Sequence, residues 1–237
     1  MGGAGGAAGE QSVTRARATT NLARLVAVVL ALGVAVSVAF VTTSAAEAKK
    51  RSASYLLKSL RVAAENPSGY DRSLFPHWIV IKDGCDTREV VLIRQARSGP
   101  SVGAGCRVGS GRWFSPFDGV TVRDPGALDI DHLVALSEAW ASGARGWSTD
   151  RRRAFANDVS YRRSLIAVTA SSNRSKGDQD PAEWLPPRTS YRCTYIKDWI
   201  AVKYRWRLSV DAQERAALTV LVNGCGNPRI TVPPRPR

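Results

Sequence analysis

Leu128-Asp129-Ile130-Asp131-His132-Leu133 sets two carboxylates beside an imidazole, in a chain of 237 residues with only two histidines. Apolar residues alternate with the acids. The run up to His132 therefore reads as a short strand, with Asp129 and Asp131 on one face and Ile130 and His132 on the other. An acid directly before a histidine can hold a metal ion beside a base that titrates near neutrality. An exposed histidine between solvated aspartates would look the same, so the rest of the chain has to discriminate. The other histidine, His77, lies between Pro76 and Trp78 and reads as a packing residue with a local hydrogen bond.

The neighbouring segments form a sequence of candidate positioning elements. Ser164–Thr169 is a short strand, and the polar stretch Ser171–Asp178 opens the next turn of structure. Asp150–Asp158 is a helix capped by Thr149, and it carries Asn157 near its end. Leu133–Ser142 continues from His132 as a helix. Trp78–Ile81 and Arg88–Gln95 read as strands, and Arg112–Phe114 with Val120–Val122 as a hairpin. The glycines between Ser98 and Gly111 have neither P-loop nor dinucleotide spacing, so they read as turns around Cys106. Ser52–Glu65 is a short amphipathic helix, and Pro181 starts another through Leu185. Ser190–Leu208 places Tyr195, Trp199 and Val202 on one buried helix face. Ser209 caps a last helix, Asp211–Asn223. The expected class is α+β, divided into an N-terminal segment (1–48), a helix and linker (49–69), the main domain (70–226) and a Pro/Arg-rich disordered tail (227–237).

Residues 1–48 read as an export signal. Arg15, Arg17 and Arg24 precede an uncharged apolar run, Leu25–Val41, and Ala46-Glu47-Ala48 has the small-residue pattern of a cleavage site. An uncleaved membrane anchor is the alternative, and it is the only membrane contact expected. Net charge is +14, and removing three arginines and two glutamates with this segment leaves +13. The basicity belongs to the body of the protein and suits a polyanionic partner. The four cysteines all lie beyond the signal, which in an exported chain implies two disulfides. Of the three pairings, the local ones, Cys85–Cys106 and Cys193–Cys225, are favoured because each brackets one structural unit. Zinc–thiolate binding is disfavoured by the absence of C-x-x-C spacing.

A strand ending in Asp131-His132, an insertion carrying Asn157, a second strand and a polar helix start at Asn173 together resemble the HNH, or ββα-metal, endonuclease superfamily. The resemblance is closer to exported bacterial HNH-type proteins related to the C-terminal domain of GmrSD-type restriction endonucleases. It rests on Asp129–Leu136, Ala139-Trp140, Arg152, Phe155–Asp158, Leu165–Val168 and Asn173–Asp178, with Pro181 and Trp184 behind them. Tyr70-Asp71-Arg72, His77-Trp78, Cys85–Arg88, Gly105-Cys106 and Gly111–Trp113 contribute upstream.

That resemblance implies a ββα-metal finger embedded in a mixed helix and short-strand domain. His132 matches the general base and Asn157 the middle residue that braces the loop and orients the base. Asp131 and Asn173 match the metal ligands, with Mg²⁺ the expected ion and Mn²⁺ the alternative. Asp129 and Asp178 are candidates for outer positions around the metal, and Arg88, Arg174 and Lys176 for phosphate binding. Asn173 stands where the family often has His, and a single amide lowers intrinsic metal affinity. The expected activity is low-specificity hydrolysis of phosphodiester bonds in DNA, with RNA as the alternative, by a secreted monomer with no stable protein partner. Two other readings are a non-catalytic nucleic-acid-binding module and a hydrolase of another acidic polymer, the latter using Asp129 and Glu138 as paired carboxylates.

Overall fold

The aromatic periodicity of Tyr195, Trp199 and Val202 becomes the buried spine of the molecule. In the computed structural model, which describes residues 1, 49–232 and 235–236, these side chains lie on an 18-residue helix spanning Thr189–Trp206. The expected export signal lies outside the described residues, and no described helix is long and apolar enough to cross a membrane.

In chain order the strands are β1 (Lys50–Ser52), β2 (Val80–Lys82), β3 (Cys85–Asp86), β4 (Trp113–Phe114), β5 (Thr121–Val122), β6 (Leu128–His132), β7 (Leu165–Thr169) and β8 (Arg229–Thr231). The helices are α1 (Ala53–Lys58), α2 (Thr87–Gln95), α3 (Leu136–Ala141), α4 (Thr149–Ala156), α5 (Ala170–Lys176), α6 (Thr189–Trp206) and α7 (Ala212–Gly224). The strands pair antiparallel as β1–β8, β2–β3, β4–β5 and β6–β7. This is an α+β fold of seven described helices and short two-stranded sheets, tied by disulfides Cys85–Cys106 and Cys193–Cys225.

Two apolar clusters flank β6–β7. Leu128, Ile130, Leu165 and Ala167 pack with Val91 and Leu92 of α2 and with Trp113. Ile166 and Val168, on the opposite face, join the larger cluster built on α6, with Leu56 and Leu57 of α1, Phe155 of α4, and Leu218 and Val222 of α7. Burying a side chain of this size is worth roughly 1.5–3 kcal/mol, so the sheet is held from both faces. The alternation read from Asp129 to His132 thus has its cause in two separate cores.

Several local expectations change. Arg88–Gln95 is helical, not extended: Asp86 caps α2 by accepting from Glu89 N at 2.8 Å. The β-branched run that suggested a strand presents Val91 and Leu92 inward from one side of a helix, and the helix then closes the free edge of β7. Gln95 donates to Leu165 O at 2.7 Å and accepts from Ala167 N at 3.0 Å. Asp211, not Ser209, caps α7, and Ser148, not Thr149, caps α4. Residues 181–185 make a turn around Asp180 rather than a helix. Described parts of the first and last segments are joined to each other and to the core. Lys50–Ser52 pairs with Arg229–Thr231, Ile230 is buried, and α1 enters the main core.

Candidate metal and nuclease site

Directly after β7, Thr169 caps α5 by accepting from Ser172 N. The helix runs back across the acidic face of β6. Two strand residues two apart there meet two helix residues three apart, spacings of roughly 7 and 4.5 Å along their elements. Asn173 Nδ2 donates to Asp129 Oδ2 at 3.0 Å, and Lys176 Nζ donates to Asp131 Oδ1 at 2.8 Å. Lys176 also donates to His132 O at 3.1 Å and is completely buried. It is therefore not a surface phosphate ligand. Its role is to neutralise Asp131. Burial raises the Asp131 pKa and the Lys176 ammonium opposes that rise.

His132 ends β6 on the other face. Its Nε2 lies 2.9 Å from Ala156 O, and a carbonyl can only accept, so Nε2 carries the proton. The remaining lone pair is at Nδ1. Burial pushes the imidazole pKa down to about 3, so the ring is neutral at physiological pH. The Trp78 ring packs over it with centroids 5.5 Å apart.

Trp78 has φ of 56°, an unusual backbone conformation for a bulky residue. Asn157 fixes that loop from both sides. Its Nδ2 donates to Pro76 O at 2.8 Å and to Arg153 O at 2.7 Å, and its Oδ1 accepts from Ile79 N at 3.3 Å and Thr87 Oγ1 at 2.6 Å. With its amide fully used, Asn157 works as a brace rather than as a group in contact with substrate. It sits next to the Ala156 carbonyl that holds His132. Asn157→Leu is expected to cost about 3 kcal/mol or more, because several buried polar groups lose their partner at once. Urea denaturation measures this, and unchanged stability would remove the brace.

His132, Asp131, Asn173, Arg174 and Asp178 line one cavity of about 220 Å³ together with Arg72. Arg72 was not singled out from sequence. It arrives on a short 3₁₀ turn, Arg72–Leu74, that Arg152 Nε holds through Leu74 O at 2.9 Å. The only hint was its place in Tyr70-Asp71-Arg72. Arg88 is not at this cavity: its Nη2 donates to Pro125 O at 2.9 Å and Leu128 O at 3.1 Å, fixing the chain that leads into β6. Asp129 bonds to Asn173 rather than to His132. Glu138 is buried and paired with Lys203, while Asp129 is engaged by Asn173.

A divalent cation fits two atoms of this cavity. Asp131 Oδ2 is buried with no hydrogen-bond partner among the described residues. The Asn173 side chain spends its NH₂ on Asp129, which leaves its amide oxygen as a second hard donor. Elsewhere, Glu65 gathers carboxylate oxygens within 4.8 Å with Asp180 and Asp211, and with Glu138 and Glu214. In the latter group Lys203 already supplies the positive charge.

Two antiparallel strands, the first ending in Asp-His, followed by a helix that returns an Asn to the same cavity, define a ββα finger of the HNH type. The family described as "GmrSD restriction endonucleases, C-terminal domain" matches residues 89–221, and the chain belongs to it. Arg72, Trp78 and Thr87 lie before the matched segment, so the site draws on residues outside it. A protein of Arthroderma benhamiae described as "Uncharacterized secreted protein" is 49% identical over 171 residues, covering 72% of this chain and 83% of the relative. No solved structure matches.

Proposed function

We propose that this protein is an exported, divalent-metal-dependent endonuclease that hydrolyses phosphodiester bonds in DNA, with RNA as the alternative substrate, and with little sequence specificity. The observation that carries the reading is His132, anchored through Nε2 on Ala156 O and sharing one cavity with Asp131, Asn173 and two arginines. His132 Nδ1 takes a proton from water as its oxygen attacks phosphorus, and the bond to the 3′ oxygen breaks. Asp131 and Asn173 hold the metal, Mg²⁺ or Mn²⁺, which when bound supplies Lewis-acid stabilisation of the phosphate and the departing oxygen. Arg174 and Arg72 grip phosphate oxygens. Lys176 opposes the rise that burial imposes on the Asp131 carboxyl, and Asp178 at the cavity wall orients water. The relative's description as secreted and the two disulfides support export.

The test is supercoiled-plasmid nicking by the full chain in a series of divalent ions. Relaxation with Mg²⁺ or Mn²⁺ that EDTA abolishes is the expected result. Salt-sensitive DNA binding without cleavage in any ion would favour the non-catalytic module instead.

A further inference from the structure

A second cavity, of about 490 Å³, lies at the junction of α2, β4, β7 and α6 and is lined by Arg97, Arg162, Arg163 and Arg188. Arg97 and Arg188 both stack on the Phe114 ring, at 5.1 and 4.9 Å from its centroid. A ring engaged by two guanidiniums is not a platform for a base. It restrains the two cations, and their N–H forks are suited to phosphate oxygens. Arg162 is anchored by donation to Arg94 O at 3.0 Å. An adjoining cavity of about 350 Å³ shares Arg163 and adds Lys50, Lys197 and Arg229. The sole acid lining either cavity is Asp198, which Arg163 already engages.

Solubility alone would intersperse the two signs. Here they are segregated: a separate cavity gathers Glu65, Glu138, Asp180, Glu183 and Asp211 with no cation on its lining. Guanidiniums gathered around one hollow repel each other unless an anion joins them. Ile166, on the lining of the basic cavity, is the direct cross-strand partner of Asp131. Opposed Cα atoms in such a ladder are about 5 Å apart.

We infer that the two joined cavities form a phosphate-backbone track that holds nucleic acid outside the His132 cavity, by contacts to phosphates rather than to bases. The track rests on the nucleic-acid reading above but not on cleavage. Its test is binding of the full chain to a 30-base-pair DNA duplex in EDTA, followed by fluorescence anisotropy over a range of salt concentrations. Each phosphate contact contributes about 0.9 to the slope of log affinity against log salt. Arg97→Gln with Arg162→Gln is therefore expected to lower that slope by about two. Arg61→Gln with Arg153→Gln, an equal loss of charge elsewhere, is expected to lower it by less than one. Thermal unfolding of both pairs confirms that they fold.

Equal slopes for the two pairs, or no change in the Arg97 and Arg162 pair, would overturn the track and leave the nuclease reading intact. No DNA binding by the unaltered chain would overturn both. Binding with the expected slopes but no cleavage in the plasmid assay would support the track and sink only the enzyme.

Discussion

His132→Ala is expected to lower plasmid nicking by about 10²–10⁴-fold, the usual contribution of a positioned base, while the protein remains folded. Among the described residues the ring makes one hydrogen bond, Nε2 to Ala156 O, and sets one face against Trp78. Its loss removes one acceptor's partner at a cost of about 1 kcal/mol. The second expectation separates this base from its neighbours. The Asp131–Lys176 pair, which this substitution does not touch, would still hold the end of β6 against α5. A loss of activity should therefore come without a matching fall in thermal stability. The assay compares initial nicking rates at equal protein concentration, beside melting curves. Wild-type rates for the variant would show that another group takes the proton, and a melting loss in proportion to activity would make His132 structural.

The part of this site that sequence disclosed is the part written locally. Leu128 to His132 alternate over five residues, and the polar stretch from Ser171 to Asp178 follows closely on a strand, so the two strands and the helix start could be placed without tertiary information. The local disulfides were legible for the same reason. What was misread depends on contacts distant in sequence. Val90–Ile93 carries strand-like residues, yet Asp86 and the packing against β6 and β7 make it helical. Lys176 looks like a phosphate ligand until its pairing with Asp131, 45 residues away, removes it from solvent. Arg72 reaches the cavity only because the 72–74 turn docks under Arg152. Asn157 follows α4 directly, but the bonds that make it a brace reach back to Pro76, Ile79 and Thr87.

The Lys203→Met variant should lose about 3–5 kcal/mol at neutral pH, the scale seen when one member of a buried ion pair is removed. Lys203 is completely buried on α6 and bonds Glu138 Oε1 at 2.6 Å, Ser142 Oγ at 3.1 Å, Ser209 O at 3.0 Å and Glu214 Oε2. Trp199 Nε1 adds a bond to Glu214 Oε1 at 2.6 Å. Burial alone would lower the lysine pKa, but the two carboxylates outweigh it and hold it above the ordinary value. Glu214 is raised to about 7, with burial the largest cause and Lys203 opposing it. Without Lys203 the buried Glu214 carboxyl loses the cation that opposes its rise. Its folded pKa then lies further above the unfolded value near 4.5, so the folded state binds more protons than the unfolded state as pH rises through that interval. Stability falls with increasing pH in that interval, and the contribution of the protonated carboxyl is present only below it. The deficit relative to wild type should therefore be small at pH 5 and large at pH 8, as measured by urea denaturation at each pH. Adding Glu138→Gln and Glu214→Gln should remove most of the pH dependence. A deficit of the same size at both pH values would mean that the lysine stem contributes by packing and that its charge does not hold α3, α6 and α7 together beneath the site.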